Sequence, residues 1–120
     1  MDHSYKPLLL KALMLCSNPN GQTHLDLVVA FFRDYYEKRR KSGLCVEKED
    51  SIFYHAGYAD KAIAQCILSN PFKAFENMQV LSYDEETNSI HINQTIWSKI
   101  STHEIAQICD AKLNEYFSRL

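Results

Sequence analysis

Asn70 stands directly before Pro71, and that pair constrains the fold more than any other feature of the chain. Proline lacks a backbone N–H and its ring clashes inside a helix, so no helix runs through position 71. The same two residues suit a helix start, with asparagine as N-cap and proline at the first helical position. Upstream, Asp60 can cap a helix from Lys61 to Leu68 that turns Ile63, Cys66 and Ile67 inward. Ser69 and Asn70 break it, and Phe72, Phe75 and Met78 mark the inward stripe of the next helix. The junction therefore imposes two short helices and a tight turn over residues 60–78.

A hairpin follows at residues 80–92. Val80 to Tyr83 and Ser89 to Ile92 flank the polar loop Asp84, Glu85, Glu86, Thr87 and Asn88. Ile90 and Ile92 alternate with His91, the period of a half-buried strand, and Asn88 suits a left-handed turn position.

The rest of the chain reads as helix. Residues 5–16 are apolar almost all round, which predicts a buried central helix. Turn-forming residues 17–21 end it. Thr23 and Asp26 approximate a capping box for a second helix reaching about Ser42, with Gly43 as the C′ residue. Its inward stripe is Leu25, Val28, Val29, Phe32, Tyr35 and Tyr36. Residues 44–58 are expected to be a polar connection with a short strand at Ser51 to Tyr54. A turn of helix at 95–100 should place Trp97 in the core. Ser101, with Glu104 three residues on, caps a closing helix over 101–119.

These elements define one domain, residues 1–120, mainly α (α+β): four to five helices and one β-hairpin. The length suits a single core. The formal charge of −2 gives no global pull toward nucleic acid or anionic membrane. No apolar run approaches the ~20 residues that span a bilayer, so no membrane partner is expected. Cys16, Cys45, Cys66 and Cys109 form no CxxC spacing. Three of them fall on apolar helical stretches, and with no export signal the expectation is reduced thiols in the cytoplasm.

The order of helices, tight helical pair, hairpin and closing helix resembles a winged helix-turn-helix domain. Residues 60–78 carry the likeness for the helical pair and 80–92 for the wing. Ser69-Asn70-Pro71-Phe72-Lys73, with Tyr83, Ile92 and Trp97, is also similar to accessory winged-helix segments of bacterial helicase and restriction proteins. The resemblance implies that the helix from Pro71 to Met78 enters the major groove and that loop 84–88 touches the backbone. Lys73 and Asn77 would then face base edges, asparagine being a good partner for adenine. The sequence departs from this pattern in charge: Lys73 stands against Glu76, Asp84, Glu85 and Glu86, a balance of −3. Phosphate contacts normally supply much of the affinity for DNA.

A second candidate contact is the run Lys38, Arg39, Arg40 and Lys41. With Arg33 it places five cations in nine residues, against Asp34 and Glu37 and beside Tyr35 and Tyr36. Arginine interleaved with aromatic rings suits single strands, although cations in a last turn also complement the helix dipole. Tyr54, His55 and Tyr58 around Gly57 form a small aromatic loop whose rings are expected to fold back on the core.

Catalysis finds no support in the motifs. His3, His24, His55, His91 and His103 lack metal-ligand spacing, and the glycines stand alone. Glu47, Lys48, Glu49 and Asp50 have the residue types of a metal-dependent nuclease, but no strand framework fixes them, and a solvated loop is expected. The reading is a non-catalytic module without cofactor or metal that contacts DNA. The competing reading is a protein-interaction module, dimerising through the closing helix, that keeps the shape and has lost the basic face.

Overall fold

Helix α1 (Tyr5–Cys16) lies at the centre because nearly every side of it is apolar. Leu8, Leu9, Ala12 and Leu13 are fully buried. The computed structural model describes residues 3–120. After α1 come strand β1 (Gln22–His24), helices α2 (Leu25–Lys41), α3 (Asp60–Ser69) and α4 (Pro71–Asn77), and strands β2 (Leu81–Asp84) and β3 (Ser89–Ile92). A single turn, α5 (Gln94–Trp97), precedes the closing helix α6 (Thr102–Ser118). The protein is mainly α with a β-hairpin. Helix α1 packs against α6, α2 and α4, and α3 packs against both α2 and α4.

The hairpin is part of a three-stranded antiparallel sheet in the order β1-β3-β2. Thr23, Ile90 and Tyr83 lie in register on the inner face, and Gln22, His91 and Ser82 on the outer face. Strand β1 is not evident from the sequence: three residues are too few to show alternation. The capping box expected at Thr23 and Asp26 does not form, because Thr23 belongs to this strand and its buried hydroxyl has no partner among the described residues. His24 takes the N-cap position of α2 without a side-chain capping bond. Gly21 adopts φ +75°, with Trp97 ring carbons 2.9 Å from the place a Cβ would occupy. Trp97 is half-buried there, outside the fully enclosed core, and its indole N–H donates to the Pro19 carbonyl at 2.8 Å.

Two helices end in the same motif with different residues. At the end of α2, Gly43 N–H donates to Arg40 O and Leu44 N–H to Arg39 O, with Gly43 at φ 72°. At the end of α4, Gln79 N–H donates to Glu76 O and Val80 N–H to Phe75 O, with Gln79 at φ 61°. Both are Schellman ends, whose C′ position favours glycine because a Cβ is strained at positive φ. Gln79→Gly is therefore expected to stabilise the protein by about 1 kcal/mol, read as a raised urea midpoint; a lowered midpoint would refute this account.

Because the α4 end turns away at Met78, that side chain leaves the stripe assigned to it. Met78 is 67% exposed, while Phe72 is buried and Phe75 half-buried. Asn70 sits at the N-cap of α4 without a side-chain bond, and Pro71 takes the first helical position. Asp60 is the first residue of α3 rather than its cap. Ser101 does cap α6, its hydroxyl accepting from Glu104 N–H at 3.3 Å.

The segment 44–58 departs furthest from expectation. It contains no strand at Ser51 to Tyr54, and it is a packed lid rather than a polar connection. Val46, Glu47, Ser51 and Phe53 are all buried. Phe53 is fully enclosed among Tyr36, Tyr58, Tyr5 and Phe32, with ring centroids 4.1, 4.9, 5.9 and 6.3 Å away respectively.

Candidate nucleic-acid interface

Residues four apart on a helix share a face, so Lys73 and Asn77 project together from α4, and both are exposed. The Lys73 ammonium lies 3.5 Å from the Glu76 carboxylate, an exposed pair of small energetic weight. The neighbouring loop between β2 and β3 is held in shape. Asp84 accepts the Glu86 N–H at 3.0 Å, Asn88 adopts φ 54°, and the Tyr83 hydroxyl donates to the Asn88 side chain. Glu85 and Glu86 stand exposed at its tip.

The basic run of α2 divides into two sets. Arg39 Nε donates to Cys45 O at 2.7 Å, and its guanidinium covers the Phe117 ring at 3.6 Å. Arg40 donates to Phe53 O at 2.6 Å and Tyr54 O at 3.3 Å. Arg33 reaches the Asp60 carboxylate at 2.9 Å, fastening α2 to α3. These arginines hold the fold together. Lys38 and Lys41 are exposed and, among the described residues, make no ion pair.

The neighbouring aromatics are not stacking platforms. Tyr36 is fully buried, its hydroxyl 2.6 Å from Ser4 Oγ, and Tyr35 is half-buried against Phe117. In the loop around Gly57, Tyr58 folds back over Phe53 as expected and donates to Glu37 at 2.8 Å. Tyr54 stays 42% exposed, its ring edge-on to His55.

Glu47 contradicts the solvated loop expected for residues 47–50. It is 2% exposed. One carboxylate oxygen accepts from Ser4 N–H at 2.9 Å and Ser4 O–H at 2.6 Å. The other accepts from Lys48 N–H at 2.8 Å and from the Tyr116 hydroxyl. One side chain thus ties the start of α1, the lid and the end of α6. Lys48, Glu49 and Asp50 are exposed, and Asp50 pairs with His3 at 2.8 Å. No sequence signal marks Glu47, since its donors on Ser4 and Tyr116 lie 43 and 69 residues away.

Burial around this node raises several phenols. Desolvation and the Glu47 carboxylate push Tyr116 up, and desolvation pushes Tyr36 and Tyr5 up against their serine partners. Burial, then the Glu37 carboxylate, push Tyr58 up to about 12. The native chain keeps these protons where the unfolded chain releases them. The stabilisation is therefore full below about pH 10 and is lost as pH rises through the folded values. A urea midpoint falling between about pH 10 and 12, alongside delayed phenolate absorbance, is the expected result; a flat midpoint would refute it.

All four cysteines are free thiols: Cys109 is buried, Cys16 and Cys66 are half-buried, and Cys45 is exposed. Among the described residues, no group of three His, Cys, Asp or Glu side chains could hold a metal ion, and no helix is long and apolar enough to cross a membrane.

No protein-family model, curated protein or solved structure matches the chain.

Proposed function

We propose that this chain is a non-catalytic winged-helix module serving nucleic-acid transactions in the cytoplasm. The observation that carries the reading is the placement of Lys73 and Asn77, exposed on one face of α4 beside a hairpin that β1 completes into a sheet. In that arrangement α3 and α4 form the helical pair, α4 reads base edges, and the 84–88 loop is the wing. Lys38 and Lys41 add two exposed cations that suit phosphate.

A second reading has its own support. The wing tip is acidic, and Met78 at the end of α4 is 67% exposed, features that suit a protein partner better than phosphate.

Fluorescence anisotropy with labelled duplex and single-stranded DNA separates the two. Lys38→Gln with Lys41→Gln is expected to weaken all sequences alike and to lower the salt slope by about 0.9 for each phosphate no longer neutralised. Asn77→Ala is expected to relax sequence preference while leaving that slope unchanged. Binding that ignores both changes would refute the assignment of these residues.

A further inference from the structure

Cations from segments far apart in sequence meet at the C-terminal end of α6. Lys48 from the lid and Lys112 and Arg119 from α6 line a cleft together with Glu115, Tyr116 and Leu120. Arg119 is 2.7 Å from Glu115, which neutralises the one acidic side chain of the lining. Lys48 and Lys112 make no ion pair among the described residues.

The Tyr116 ring forms a wall of this cleft. Its hydroxyl is turned inward to Glu47, and the Lys48 ammonium lies 5.6 Å from the ring centroid. The adjoining Phe117 ring, 5.2 Å from Tyr116, carries Arg39 on its face. Arg39 belongs to the basic end of α2, where Lys38 and Lys41 are exposed.

We propose that this cleft is the phosphate-contact site of the module, taking the backbone of a bound nucleic acid between Lys48 and Lys112. The proposal rests on the nucleic-acid function given above. Cations near a helix C-terminus also complement its carbonyl dipole, but that effect fades within the last turn. Lys48 belongs to another segment and Lys112 lies more than a turn before the end of α6. Two ammonium groups that line one cleft and pair with no carboxylate among the described residues, set against an aromatic wall, suit phosphodiester oxygens.

The test uses the full chain, unaltered and as Lys48→Gln with Lys112→Gln, titrated into labelled duplex across a salt series. Among the described residues the two exposed lysine side chains donate no hydrogen bond, so the far-ultraviolet circular dichroism of the variant should match the unaltered chain. The expected result is a weaker complex whose salt slope has fallen by about 0.9 for each phosphate that loses its lysine. An unaltered chain that binds DNA and a variant that binds equally well overturn this site and leave the proposed function standing. An unaltered chain that binds no DNA even at low salt overturns the proposed function, and the site with it.

Discussion

Phe53→Ala is expected to lower the unfolding free energy by about 3–5 kcal/mol, the usual cost of emptying a buried phenylalanine site. For a chain of this length that is a fall in melting temperature of roughly 12–20 °C. The size of the effect comes from the company the ring keeps. Phe53 is fully buried although it lies in a segment without regular structure, and four aromatic rings surround it. Its backbone is fixed as well, since its carbonyl accepts from Arg40 and its N–H donates to Ser51 Oγ at 3.1 Å. The lid cannot collapse into the void without breaking those bonds. Phe53→Leu, which keeps much of the volume, is expected to cost markedly less. A loss below about 1 kcal/mol for the alanine variant, as at a surface site, would show that the lid is not part of the core.

Glu47→Ala is expected to cost on the order of 4 kcal/mol, because it orphans several buried donors at once. Ser4 N–H, Ser4 O–H, Lys48 N–H and the Tyr116 hydroxyl all lose their acceptor. Glu47→Gln is expected to cost about half as much. Its carbonyl can keep the two Ser4 bonds, and the Tyr116 hydroxyl can reverse to accept, but the amide NH2 then faces the Lys48 N–H. Urea unfolding measures both variants, and amide exchange locates the loss. Faster exchange should concentrate in α6 and in the first turn of α1, the two elements pinned by the carboxylate. An alanine variant as stable as the parent would mean that water replaces the carboxylate without cost.

The parts of the fold legible in the sequence are those set by local chemistry. Asn70 and Pro71 place the break between α3 and α4, Gly43 marks the end of α2, and Ser101 with Glu104 marks the start of α6. Ile90 and Ile92 turn their side chains inward as their alternation requires. What escapes is non-local. Strand β1 exists because β3 offers it an edge, and the carboxylate of Glu47 is buried because distant elements bring donors to it.

The candidate interface shows the same division. Lys73, Asn77, Lys38 and Lys41 are exposed, as a helix-face argument requires. Arg39 and Arg40 lie in the same basic run, yet they bind the lid's carbonyls, a role no spacing rule announces. Lys48 and Lys112 carry no sequence signal because they are 64 residues apart and adjoin only in the folded chain.

Amide chemical-shift mapping of the isotope-labelled chain against a short duplex at low salt tests the central claim most directly. Shifts are expected along α4 at Lys73 to Asn77, at Lys38 and Lys41, and around the Lys48 and Lys112 cleft. A spectrum unchanged at excess duplex would contradict it and leave the acidic wing and exposed Met78 as the surface of a protein-binding module.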